Sequence, residues 1–197
     1  MKVLIDAGHG ENTPGKRSPD GRLLEYAYAR EIADMIVTGL RRIGVDAERI
    51  VKESIDVPLS ERCKRVNNVC KELGVSNVIL ISVHCNAAGS GEWMTARGWE
   101  AWTTRGKTKS DALAECLYSA AEKYLHGMKI RKDLSDGDSD KESDFYILKN
   151  TKCTAVLTEN LFQDNKDDVE FLLSSEGKQT ITRIHLDGII NYINNKS

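Results

Sequence analysis

The stretch Val3-Leu4-Ile5-Asp6-Ala7-Gly8-His9-Gly10 decides the fold. Its apolar run predicts a buried strand over residues 2–6, and the glycine-flanked histidine marks a sharp turn where the chain leaves the sheet. A second segment repeats the design: Val78-Ile79-Leu80-Ile81-Ser82-Val83-His84 is another apolar run that ends on histidine. The chain has four histidines, and two of them occupy matching strand ends. In an open α/β sheet, ligands bind in the crevice outside the carboxyl ends of the strands. Imidazole is the commonest metal ligand, and glycine beside it lets the backbone approach other groups closely. The pattern points to a metal site.

Working outward, a Gly/Pro/Asn/Ser-rich loop runs through Gly21, and apolar residues from Leu24 to Ile43 then recur at helical spacing until Gly44. A short strand is expected at 45–50 and a second helix from Asp56-Pro58 to Leu73, with Cys63, Val66 and Cys70 inward. Strands follow at 77–83 and 98–104, and Ser110 is read as the cap of a third helix burying Leu113, Leu117, Ala121 and Tyr124. An acidic loop fills 127–143, strands are expected at 144–148 and 153–158, and helices cover 166–194. Alternating strands and helices predict a single α/β domain over 1–197. Its sheet is mostly parallel, mixed and six-stranded, with helices on both faces.

Composition narrows the function. A net charge of −2 gives no electrostatic reason to expect nucleic acid or an anionic membrane as partner. No apolar stretch is long enough for membrane insertion. Met1-Lys2 leads straight into the first strand without the parts of a signal peptide. The five cysteines are odd in number and lack CxxC spacing, which argues against a disulfide framework. Synthesis and first residence in a reducing cytoplasm are expected.

Two histidines need a third protein ligand to make a catalytic zinc site, commonly a carboxylate. Glu25 is the candidate, because it shares the buried stripe of the first helix with Ala29, Ile32 and Ile36. A carboxylate on an apolar face is costly unless something pairs with it. Glu159 follows Ala155-Val156-Leu157-Thr158, and is read as lying just past a buried strand and pointing into the same crevice. It is placed to act as base toward water and then as acid toward a leaving amine.

Four segments occur in order: Asp6-Ala7-Gly8-His9-Gly10, Glu25, Ser82-Val83-His84-Cys85-Asn86-Ala87 and Leu157-Thr158-Glu159-Asn160. Together they resemble the zinc-dependent N-acetylmuramoyl-L-alanine amidases of type 3, within them the phage endolysin branch. The resemblance implies that His9, Glu25 and His84 bind zinc and that Glu159 is the catalytic carboxylate. It also implies the substrate, the amide joining N-acetylmuramic acid to L-alanine in peptidoglycan, hence a cell-wall-lytic hydrolase. The chain departs from the family in having Cys153-Thr154 where proline is frequent, and Arg30 where many relatives carry asparagine. No cell-wall-binding domain is expected after the catalytic one, and release to the wall is expected to need a separate membrane-permeabilising protein. Two rival functions are a zinc peptidase acting within the stem peptide and a catalytically silent wall-binding module. The intact set of four residues counts against the silent module.

Other signals carry less. Lys16 and Arg17 are read as cations for stem-peptide carboxylates, and Asn86 and Trp93 as further substrate contacts. Asp6 is expected to orient a ligand imidazole. Asp136, Asp138 and Asp140 match the start of a calcium loop, but Lys141 and Ile147 break the motif, so a solvated loop bordering the cleft is expected. Glu142 stands as an alternative base, and Cys85 as an alternative nucleophile disfavoured by its opposite facing from His84. His185 is read as a satisfied histidine at the core edge and His126 as a residue at a helix C-terminus.

Overall fold

The structure, a computed structural model, describes residues 1–196. Strand β1 (Lys2–Ala7) lies between β2 (Asp46–Arg49) and β3 (Val78–Asn86), parallel to both. β6 (Thr154–Phe162) runs parallel on the far side of β3. β4 (Glu100–Thr103) pairs antiparallel with β6, and β5 (Lys141–Glu142) forms the outer edge beside β4. The expected six-stranded, mostly parallel sheet is therefore present, in the order β2-β1-β3-β6-β4-β5.

Side-chain alternation assigns the two faces. Val3, Ile5, Ile79, Ile81 and Val83 face a core built with helices α1 (Glu25–Arg42), α3 (Lys109–Tyr124) and α6 (Ser175–Lys196). Leu4, Leu80, Ala155 and Leu157 face a smaller core with α2 (Leu59–Leu73) and α4 (Tyr146–Lys149). This second layer covers only the half of the sheet near the strand starts. The next residues on the same face are Asp6, Ser82 and Glu159, and polar chemistry begins there. Among the described residues no helix is long and apolar enough to cross a membrane.

Several boundaries differ from expectation. The segment expected as a strand at 144–148 is α4, because Ile147 and Leu148 are buried as neighbours while Tyr146 and Lys149 are exposed, a helical and not an alternating pattern. The sixth strand is instead the two-residue β5. Thr108, not Ser110, caps α3: its side chain accepts from the Ser110 amide while Asp111 accepts from the Thr108 amide. Ser110 Oγ accepts from the Ala155 amide and ties α3 to β6. The C-terminal helical region divides at Ser174 into α5 (Lys166–Leu173) and α6.

His185 lies fully inside the core, deeper than expected. Its Nδ1 donates to the Ile181 carbonyl at 2.8 Å, so Nε2 accepts from Thr158 Oγ1 at 2.9 Å and the ring is neutral. Burial pushes its pKa down from 6.5 to about 4, against the opposing bond to Ile181. Between those two values the unfolded chain binds a proton that the folded chain refuses. Stability is therefore full above pH 6.5 and falls as pH drops toward 4. Urea titrations across this window are expected to show His185→Gln losing that slope, a contribution of roughly 1–3 kcal/mol. An unchanged slope would contradict the assignment.

Candidate metal centre and active site

β1 ends at Ala7, and Gly8 makes the last rung by donating to the Val83 carbonyl at 3.0 Å. A Cβ on Gly8 would lie 2.4 Å from the His84 ring, and one on Gly10 would lie 1.9 Å from the Asp56 amide nitrogen. Both glycines permit close approaches that any side chain would block. Between them His9 has φ of 57°, a left-handed conformation strained for a residue with a Cβ.

Two arginines hold this turn. The His9 carbonyl accepts from Arg30 Nη2 at 3.0 Å and from Arg62 Nη2 at 3.1 Å. Arg62, on α2 and 2% exposed, also donates to the carbonyls of Val57 and Ala7 and to the carboxylates of Asp6 and Asp56. Those bonds use all five N–H donors of the guanidinium. Arg30 adds bonds to the carbonyls of Glu53 and Tyr26. Sequence reasoning left Arg30 without a role and missed Arg62. Its signal was an arginine on the same helical stripe as Cys63, Val66 and Cys70. Asp6 does not orient an imidazole, as expected, but is taken by Arg62 at 2.8 Å and Ser82 at 2.6 Å.

The turn delivers His9 to His84 and Glu25. His84 Nδ1 is 3.1 Å and His9 Nε2 3.4 Å from Glu25 Oε1, and the two rings meet edge to face. Glu25 opens α1, where its amide donates to the Lys16 carbonyl, and Oε1 also accepts from the Cys85 amide. Its other oxygen, Oε2, is buried without a partner. Burial disfavours the Glu25 charge, but the bonds from His84 and His9 outweigh it and hold the carboxyl well below its usual range. His84 shifts upward, because Glu25 outweighs the opposing effect of burial. Two imidazole nitrogens and a carboxylate oxygen within 4.8 Å of one another, with a second oxygen orphaned, fit the donor preference of zinc.

Glu159 sits opposite His84 on β3 and opposite Glu100 on β4. It is not past the strand end, as expected, because β6 continues to Phe162. The register slips between His84 and Asn86, where β6 carries an extra residue and Leu161 adopts φ of 65°. Glu100 is buried and fully engaged, accepting from Asn86, Trp102 and Arg131 and pairing with Lys141. Glu159 Oε2 is buried with no partner. Burial pushes its pKa up to about 8, with Glu25 and Glu100 in the same direction and His84 and Lys16 opposing. Of the two carboxylates, Glu159 is the one left free to react.

Lys16 and Arg17 line a cavity of about 420 Å³ shared with Gly89 and Gly91. Asn86 is committed to Glu100 and to the Ala87 amide. Trp93 packs against the core with Lys166 above its ring. Glu142 lies on β5 and accepts from the Gly106 amide, two strands from Glu159. Cys85 is buried on the opposite face, where burial pushes its thiol well above the ordinary range. The acidic loop is not wholly solvated. Asp140 is 2% exposed, accepts from Thr103 Oγ1, and is pushed by burial up to about 7.

Comparison with known proteins identifies the family. The N-acetylmuramoyl-L-alanine amidase family model matches residues 3–191. The endolysin of Bacillus phage SPP1 is 28% identical over 98% of this chain and 66% of its own length. The N-acetylmuramoyl-L-alanine amidase CwlM of Bacillus licheniformis is 26% identical over 98% of this chain and 69% of its own length. The chain thus spans about two thirds of these relatives. An N-acetylmuramoyl-L-alanine amidase of Clostridium difficile 630 shares the fold with a TM-score of 0.83 at 24% identity, covering 100% of this chain and 98% of that one. The catalytic domain of CwlV from Bacillus (Paenibacillus) polymyxa does so at 0.76 and 21% identity, with 98% of each chain covered. Matched over nearly its whole length, the chain belongs to the N-acetylmuramoyl-L-alanine amidase family, type 3.

Proposed function

We propose that this chain cleaves the amide between N-acetylmuramic acid and L-alanine of peptidoglycan, with zinc held by His9, Glu25 and His84 and with Glu159 as the catalytic carboxylate. The observation that carries the reading is the convergence of three donor atoms beside the half-buried Glu159, whose Oε2 is buried without a partner. Zinc in such a three-ligand site supplies Lewis acidity, polarising a carbonyl and lowering the pKa of water to about 7.

The positive charge of zinc beside Glu159 would favour its ionised form, in which the carboxylate takes the proton of the attacking water and returns it to the alanine nitrogen, which departs as a free amine. The neighbouring Glu100 cannot substitute, because Asn86, Trp102, Arg131 and Lys141 occupy it. Arg30 and Arg62 keep His9 aimed at Glu25. Lys16 and Arg17 present cations to stem-peptide carboxylates along the adjoining cavity.

Four tests follow from the division of labour. Digestion of purified walls is expected to release peptides beginning with free L-alanine. Peptides cut within the stem, with the sugar linkage intact, would establish the peptidase rival. Glu25→Ala is expected to lower zinc content from about one per chain together with activity. Glu159→Gln is expected to keep zinc while turnover falls by about 10²–10⁴; loss of zinc would make Glu159 a ligand, and near-normal turnover would move the base elsewhere. Arg62→Lys keeps a positive charge but cannot serve five acceptors. It is expected to weaken zinc affinity by about tenfold or more, read by chelator competition, because a loosened His9 loses a preorganised geometry. Unchanged affinity in a folded Arg62→Lys protein would show that the turn holds itself.

A further inference from the structure

The opposite end of the sheet carries a second concentration of charge. A cavity of about 740 Å³ lies beside Thr154 and Ala155, where β6 begins, roughly 16 Å along the strand from Glu159. Arg105, Lys109, Lys149, Lys152 and Lys196 line it, with Asp144 as the sole carboxylate among the lining residues. Those cations come from the loop after β4, the start of α3, the end of α4, the loop before β6 and the end of α6. The fold, and not a run of sequence, brings them together.

Lys149 pairs with Asp144. Arg105, Lys109 and Lys152 make no side-chain ion pair or hydrogen bond among the described residues, and Lys196 meets only the ring of Tyr192 on its own helix. Gathering unpaired cations in one concavity costs free energy through mutual repulsion, and the chain as a whole is acidic, with a net charge of −2. An anion seated among them offsets that cost. Thr104, Thr108, Thr151 and Thr154 add hydroxyls to the wall.

We propose that this cavity is an anion site for a phosphate chain, either an oligophosphate or a phosphodiester polymer. A carboxylate offers two oxygens in one plane, whereas a phosphate presents oxygens in several directions to cations arriving from different elements. The volume holds more than one such group, and a chain of phosphates matches several separated cations better than a single ion does.

The test uses the whole chain and a Lys109→Glu/Lys152→Glu variant, neither position belonging to the catalytic machinery. Titration calorimetry with tripolyphosphate at physiological salt is expected to show one saturable site, weakened about tenfold or more in the variant. Cleavage of a soluble muropeptide and the melting temperature should be retained. Failure of tripolyphosphate to saturate, equal binding by the variant, or equally tight binding of the tricarboxylate citrate would each overturn the assignment. Cosedimentation with walls then identifies the source. Binding that falls to the variant's level when wall phosphodiesters are hydrolysed away assigns the site to a wall polymer, and binding that does not change assigns it to soluble phosphates.

Discussion

The site depends on one buried guanidinium. Arg62 spends all five N–H groups on β1, the turn after it and the segment before α2, and it neutralises Asp6 inside the sheet layer. Removing a charge from water is expensive unless every lone pair and proton is matched, and here the match is complete. The return is positional. With Arg30, it anchors the His9 carbonyl and maintains a left-handed backbone that on its own costs about 1–3 kcal/mol. Released from these bonds, His9 would relax toward extended geometry and swing its ring away from Glu25.

The same economy explains where the site lies on the sheet. One face is largely apolar under α1, α3 and α6, with Thr158 and His185 satisfying each other inside it, while the other is apolar only under α2 and α4. Beyond Leu4, Leu80 and Leu157 the alternation continues, so Asp6, Ser82, His84, Glu159 and Glu100 project onto a half-roofed floor. Strain gathers at this end: His9 and Leu161 are the non-glycine residues of positive φ among those described, one in the turn after β1 and the other on β6. The far end gathers positive charge instead.

The chain's own residues disclosed the fold and the meeting of His9, Glu25 and His84 because both rest on periodicity. Apolar runs ending on His9 and His84, and a glutamate on the buried stripe of α1, are patterns of position. What escaped was set by contacts distant in sequence. Arg62 meets Asp6 across 56 positions. Ser82 likewise takes the Asp6 carboxylate that was expected to orient an imidazole. The reading of 144–148 as a strand failed because a short apolar run has no period of its own; α2 decides that Ile147 and Leu148 face the same way. Glu159 was expected past a strand end and lies within β6, since a bulge and not a strand end shapes the backbone around it.

The central claim is that His9, Glu25 and His84 form one nitrogen- and oxygen-donor set for zinc. X-ray absorption at the zinc edge of the loaded protein reads that set directly, independent of activity. The expected spectrum has light scatterers near 2.0–2.1 Å with the outer-shell pattern of two imidazoles. It should lose one imidazole in His9→Ala and keep both in Glu159→Gln. A sulfur scatterer near 2.3 Å, or a spectrum unaltered by His9→Ala, would contradict it.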